Sequence, residues 1–169
     1  PTALLWQTTS GPRAETLAFL AGVRDGADEP LPYDFLATQP ALAAVQIRPW
    51  LPGLCHASHA PLAFTGAAQW LFLLAEALAW LESHPGGQAL CAHLDVWEHA
   101  AEAHCLLVAA DPAPSALARI GPASSDCGAR IVLADTPDLP ARLPAALADG
   151  HCRLAPPAGT RLALEFVQL

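Results

Sequence analysis

The clearest feature of the hydrophobic pattern is a long apolar segment over residues 66–83. Its polar positions recur every seven residues, at Gln69, Glu76 and Ser83. Seven residues are about two helical turns, so these three positions share one narrow stripe of a helix. The rest of the circumference is apolar, and a helix that is apolar nearly all round is a buried one. The pattern therefore predicts a central helix enclosed between layers of the fold.

Shorter segments on either side alternate between strand and helix patterns. Strands are predicted at residues 3–8, 54–58, 88–94, 104–110, 129–134 and 161–167. Helices are predicted at residues 13–23, 40–47 and 140–148, with a helical turn at 115–120. The first helix is expected to pack through Leu17, Phe19 and Leu20. This alternation is typical of an α/β fold with helices layered on a mixed sheet.

Composition narrows the classes of function. Of the 169 residues, 53% are hydrophobic and 14% charged, which excludes a disordered chain and leaves apolar surface for a partner. The net charge is −8 without any cluster of Lys or Arg, which argues against nucleic acid and anionic membrane surfaces as partners. The apolar segment 66–83 is shorter than the ~20 residues that span a bilayer, so we expect no membrane insertion. The length fits a single domain, 1–169.

Five cysteines are scattered along the chain, an odd number that does not form a disulfide pattern. We expect a reducing, cytoplasmic location. We also expect neither a cofactor nor a bound metal.

Several short motifs occur in a particular order: TTSGP at 8–12, ETL at 15–17, FLATQPALAA at 35–44, EAL at 76–78 and AAD at 109–111. As an ordered set they resemble the N-terminal domain of β-ketoacyl synthases. The resemblance is strongest over residues 2–112, and residues 113–169 are expected to add strands and a short helix. It implies a thiolase-type half-fold, in which a central helix is buried beside a mixed sheet.

In active members of that family, a cysteine opens the central helix. The resemblance places that elbow at Gly66, Ala67 and Ala68, so the nucleophile position is Ala67, which cannot attack a thioester. Cys55 is the fallback nucleophile, about eleven residues upstream of the elbow. The substrate-binding residues are expected to be Phe64, Thr65 and Gln69.

The resemblance implies a non-condensing subunit, similar to the chain-length factors of fatty-acid or polyketide biosynthesis. Such a subunit pairs with a ketosynthase or with itself, contacts acyl carrier protein and helps to bound an acyl tunnel. Two alternatives stay open. One is a small acyl-transferring or condensing enzyme that uses Cys55 or Cys105, with a histidine and Asp111. The other is a protein-interaction module without a ligand, for which Trp50 is a candidate anchor.

Two groups of histidines and cysteines have the chemistry of metal ligands. His56 and His59 would lie on opposite faces of a strand. A second group contains Cys91, His93, His99, His104 and Cys105. Neither has the spacing of a known zinc site, so interior thiols and loop histidines are the favoured interpretation.

Overall fold

The computed structural model describes residues 1–9, 11–26, 32–61, 69–97, 100–111, 113–123, 131–148, 150–155 and 162–169. Its elements form two four-stranded sheets with helices between and outside them. The predicted α/β class and the mixed sheet are confirmed, and the mixed pattern occurs twice.

The first sheet consists of β1 (Thr2–Thr8), β2 (Leu54–Pro61), β3 (Gln88–Trp97) and β4 (Ala100–Ala109), in the order β2-β1-β3-β4. Strand β1 pairs in parallel with both β2 and β3, and β3 and β4 form an antiparallel pair. Every residue from Thr2 to Gln7 is buried, because β1 is covered on both faces.

Three helices and a 3₁₀ turn lie on the outer face of this sheet: α1 (Arg13–Asp25), α2 (Pro32–Ala37), α3 (Ala41–Ile47) and the 3₁₀ turn Arg48–Trp50. Gly26 caps the C-terminus of α1, and its positive φ of 62° suits a residue without Cβ. Leu4 and Trp6 of β1 pack towards this layer against Ala44 and Ile47.

The second sheet consists of β5 (Ala118–Pro122), β6 (Ile131–Leu133), β7 (His151–Leu154) and β8 (Leu164–Gln168), in the order β5-β8-β7-β6. Strands β6 and β7 are parallel, and the other neighbours are antiparallel. The predicted helical turn at 115–120 is wrong in its second half, where β5 begins. Strand β7 was not predicted, because so short a strand does not show a period.

Two helices fill the space between the sheets, namely α4 (Gln69–Glu82) and α5 (Leu139–Leu147). One continuous core joins Ala3 and Leu5 of the first sheet, Trp70 and Leu74 of α4, and Leu154 of the second sheet. The layers are therefore outer helices, first sheet, central helices and second sheet.

The central helix is less enclosed than its sequence predicts. Trp70, Leu71, Leu73 and Leu74 are fully buried, as expected, whereas Phe72 is 53% exposed. One line of α4 therefore faces solvent, because sheets cover two sides of a helix and not its full circumference.

The packing predicted for the first helix is wrong. Leu17, Leu20 and Val23 are each about half exposed, and α1 has no buried residue. The helix contacts mainly α2, where the rings of Phe19 and Phe35 lie 6.1 Å apart. The apolar stripe thus covers little of the first sheet and leaves an apolar outer surface.

Within the described part of the chain, none of the helices combines the length and apolar character needed to cross a lipid bilayer.

Candidate functional site

The predicted elbow lies in the sequence between β2 and α4. Gly66, Ala67 and Ala68 are outside the described residues, as are Phe64 and Thr65. Gln69 is the first residue of α4, and its side chain is likewise outside the described set. The geometry of this region is therefore defined by the first turn of α4 and by the residues that contact it.

A buried carboxylate binds the N-terminal turn of α4. Asp135, only 8% exposed, accepts hydrogen bonds from the backbone N–H of Trp70 at 2.8 Å and of Leu71 at 2.9 Å. The indole N–H of Trp70 donates to the carbonyl of Pro137 at 3.1 Å. The loop after β6 therefore caps the helix, although it lies far from it in sequence.

This cap determines the electrostatics of the helix end. The free N–H groups of a first turn carry partial positive charge, which stabilises a nearby anion. In α4 that stabilisation goes to the Asp135 carboxylate. A thiol placed beside a carboxylate has a raised pKa, because the neighbouring negative charge disfavours the thiolate. The described end of α4 thus carries a structural cap, formed by Asp135.

A second polar cluster lies on the first sheet, after β1 and within β3. Asp95 accepts hydrogen bonds from the Thr8 hydroxyl and the Thr9 N–H, each at 2.8 Å, and from the Thr9 hydroxyl. Nε2 of His93 lies 3.0 Å from its second oxygen. Asp95 and His93 are almost fully buried, so this network ties the turn after β1 to β3.

Neither candidate nucleophile has a base within hydrogen-bonding distance among the residues that the structure describes. Cys55, on β2, is exposed, and its thiol donates to the Thr2 carbonyl at 3.6 Å. Cys105, on β4, is also exposed, and partial burial raises the pKa of its thiol. Among the described residues neither sulfur hydrogen-bonds to a histidine or to a carboxylate such as that of Asp111. The described residues thus assemble no Cys–His–acid triad.

The two histidines of β2 point to opposite faces of the strand, as predicted. His56 points towards α4, where its Nε2 lies 4.0 Å from the Glu76 carboxylate and its ring stacks against that of Trp80 at 6.3 Å. His59 points to the opposite face, with its ring 5.4 Å from that of Trp6. They therefore do not converge on one ion.

In the second histidine and cysteine group, two of the described histidines bind carboxylates and Cys91 is buried in the core. His93 binds Asp95, and His104 binds Glu102. Cys91 is buried against α4, and burial raises the pKa of its thiol to about 12. His99 lies outside the described residues. Across the described ranges, no three metal-ligating side chains come together.

A shallow groove of about 250 Å³ lies between α3 and the edge strand β2. It is lined by Ala44, Val45, Arg48, Leu54, Cys55, His56 and Ala57. Trp50, which lies between α3 and β2 in the chain, is 81% exposed. Trp50 therefore has the exposure that a candidate partner anchor needs.

Sequence reasoning missed Asp95 and Asp135, which organise these two clusters. Each lies in or just after a strand, where an aspartate is unremarkable. The available signal was an acidic residue at the end of an otherwise apolar stretch, as in the segment Ile131–Leu133 followed by Ala134 and Asp135. Its partner is distant in the chain, so the pairing was not predictable.

No known protein family and no curated protein matches the sequence. A solved structure does match the fold. It is a chain of the complex between the ketosynthase ApeO and its chain length factor ApeC from Xenorhabdus doucetiae. The TM-score is 0.58 at 12% identity, over 99% of this chain and 69% of that chain. The likeness shows a thiolase-type fold.

Proposed function

We propose that this chain is a non-condensing ketosynthase-like subunit that pairs with a ketosynthase or with a second copy of itself. The observation that carries the proposal is the capping of α4 by Asp135. A condensing enzyme needs a thiolate at the start of this helix, and the helix end favours one only while its N–H groups are free to stabilise it. In this chain two of those groups already bind a carboxylate.

The sequence and the other thiols support the same conclusion. The resemblance puts Ala67 at the nucleophile position, and alanine has no group that attacks a thioester. Cys55 and Cys105 have no base within hydrogen-bonding distance among the described residues, so neither has the activation that nucleophilic catalysis requires. The condensing alternative is therefore the weaker proposal.

Strand β2 is the surface that we propose for pairing. Among the described strands it lies at the edge of the first sheet, bonded to β1 on one side. An open edge offers backbone N–H and C=O groups to another strand unless lysine, proline or a bulge obstructs it. The strand has no lysine, and its proline is its last residue, Pro61. Its pairing with β1 is irregular only at the start, where the register skips Cys55, so residues 57–60 leave the edge unobstructed. Cys55 and Ala57 are exposed small side chains.

Apolar side chains beside β2 would extend such an interface. Val45 lines the groove along the strand and is exposed, and Trp50 is exposed on the same layer. An exposed tryptophan next to an open edge is the kind of residue that anchors a protein interface. The exposed stripe of α1 adds apolar area on this outer layer.

Within a pair, the chain would bound one side of an acyl tunnel in fatty-acid or polyketide-type biosynthesis and contact acyl carrier protein. Phe64, Thr65 and Gln69 remain the proposed chain-contacting residues, since in sequence they lead into the first turn of α4. The similar fold comes from a complex of a ketosynthase with its chain length factor, which supports this role.

Sedimentation velocity tests the pairing. The purified chain is run alone over a concentration series, and mixed with each ketosynthase of its own source organism. We expect a dimer or a 1:1 complex, and we expect Ala57→Lys to weaken it about tenfold or more, because lysine at a strand edge opposes pairing.

The matched control is Ala103→Lys, an exposed alanine on β4, the other edge strand of the same sheet. This control should pair like the unchanged chain. A chain that stays monomeric with every ketosynthase would contradict the proposal. Equal weakening by both variants would contradict the assignment to β2.

A further inference from the structure

Two neighbouring side chains on the first sheet are buried without protein partners for some of their polar atoms. Gln7 on β1 is 0% exposed, and neither its Nε2 nor its Oε1 has a hydrogen-bond partner among the described residues. His93 on β3 is 1% exposed, and within the same ranges its Nδ1 has none. Leaving a buried polar atom unpaired destabilises a fold, so three such atoms together need an explanation.

These atoms belong to one site. Gln7 and His93 are directly opposite in the β1–β3 register. Gln7 follows Ala3 and Leu5 at alternate positions, and His93 follows Ala89 and Cys91 in the same way. Since these preceding residues pack in the core against α4, Gln7 and His93 share that face of the sheet.

The contact of Nε2 of His93 with Asp95 determines whether its Nδ1 donates or accepts a hydrogen bond. Nε2 lies 3.0 Å from Asp95, whose carboxylate accepts hydrogen bonds, so Nε2 carries the proton. In the neutral ring Nδ1 is then an acceptor. Thr8 and Thr9 hold Asp95 in place, which fixes the orientation of the ring.

The site thus presents one amide donor and two acceptors: Nε2 of Gln7, Oε1 of Gln7 and Nδ1 of His93. A bound group must accept one hydrogen bond and donate at least one. A carbonyl or a carboxylate only accepts, and an ammonium group only donates. A hydroxyl oxygen does both.

We propose that Gln7 and His93 form a binding site for a hydroxyl oxygen. The oxygen accepts a hydrogen bond from Nε2 of Gln7 and donates its proton to Nδ1 of His93. The same chemistry is available from an internal water molecule and from a hydroxyl group on a bound acyl chain. Only the acyl-chain hydroxyl rests on the proposed function. Its binding would make the subunit selective for hydroxylated chains.

Nitrogen NMR of the histidine-labelled chain tests the site itself. Long-range proton–nitrogen spectra identify the protonated nitrogen of each ring and whether the other accepts a hydrogen bond. We expect His93 to be protonated at Nε2, with its Nδ1 resonance displaced towards that of a hydrogen-bonded acceptor. A Nδ1 resonance of a free acceptor, or a proton on Nδ1, would overturn the inference.

Calorimetric titration then distinguishes the two sources. Decanoic acid is compared with hydroxydecanoic acids that carry the hydroxyl at successive positions. If the site binds an acyl hydroxyl, we expect one isomer to bind about tenfold tighter than decanoic acid, the equivalent of roughly one hydrogen bond. Gln7→Met should abolish that preference, and Gln168→Met, at an exposed strand position, should keep it.

If the NMR spectra show a hydrogen-bonded Nδ1, and the acids either all bind equally or do not bind, the site is assigned to water. The NMR result uses the chain alone, so it stands or fails independently of any pairing with a ketosynthase. Methionine is close in shape to glutamine, and a circular dichroism spectrum like that of the unchanged chain confirms that Gln7→Met folds.

Discussion

At the residue scale, His59 shows how one half-buried side chain links the stability of the sheet to pH. Its Nε2 is buried without a partner among the described residues, and its ring lies against Trp6. Burial lowers the pKa of His59 below its ordinary value of 6.5, because the charged ring loses hydration in the fold.

The sign of the effect follows from which state binds the proton. The unfolded chain takes up a proton near pH 6.5, whereas the folded chain resists it until a lower pH. The contribution of His59 is therefore complete above about pH 6.5 and is lost as the pH falls below it.

We predict that His59→Phe flattens the pH dependence of stability. Phenylalanine keeps the ring contact with Trp6 and does not titrate. Urea unfolding at several pH values between about 5 and 8 should show the free energy of unfolding falling more steeply with acid in the unchanged chain than in the variant. Parallel curves would show that His59 contributes nothing to the pH dependence.

At the scale of the elements, α4 shows which features local sequence can and cannot predict. Its existence and much of its burial follow from an apolar pattern that continues over several turns. The exposure of Phe72 and the cap from Asp135 depend on where two sheets and a distant loop lie. No local pattern contains that information.

Helix α1 shows the same limit of local sequence. Leu17 and Leu20 form an apolar stripe, from which packing against the sheet was predicted, yet both are exposed. A stripe of this kind indicates that a face needs covering and does not identify the covering surface. The networks at Asp95 and at Gln7 were likewise missed, because strand pairing brings together residues that are far apart in the chain.

The cap leads to a prediction about the stability of α4. Asp135→Ala leaves two N–H groups of the first turn unpaired in a buried position and removes a charge that suits the helix end. We expect a loss of about 1–2 kcal/mol in the free energy of unfolding, measured with urea. Asp135→Asn keeps an acceptor oxygen and should lose less.

The control for this prediction is Asp138→Ala. Asp138 precedes α5 and is exposed, and its side chain makes no capping hydrogen bond to that helix. Its replacement should change stability by less than about 0.5 kcal/mol. An equal loss at both positions would show that the hydrogen bonds of Asp135 do not stabilise α4.

At the scale of the whole molecule, the two sheets repeat one order of elements. In the first, β2, α4, β3 and β4 run as strand, helix, parallel strand and antiparallel strand, with β1 between β2 and β3. In the second, β6, α5, β7 and β8 follow the same order, with β6 and β7 as direct neighbours. The central helices of both lie between the sheets, a repetition that the sequence did not reveal because the second set has much shorter strands.

The proposed role of the whole chain depends on the absence of an activated thiol at the start of α4. The buried thiols agree with it: burial raises the pKa of Cys91 to about 12 and also raises that of Cys152. A thiol in that state is a poor nucleophile at neutral pH. Exposed Cys55 and Cys105 are accessible, but no described base lies within hydrogen-bonding distance of either sulfur.

Intact-mass spectrometry after treatment with a cerulenin-like epoxide or an acyl-thioester probe tests this claim most directly. A known condensing ketosynthase is treated in parallel, and peptide mapping locates any adduct. We predict that the ketosynthase is labelled stoichiometrically on one cysteine, while this chain gains only slow, partial modification at exposed thiols. Rapid stoichiometric labelling of one cysteine in this chain would contradict the non-condensing role and establish a condensing or acyl-transferring enzyme.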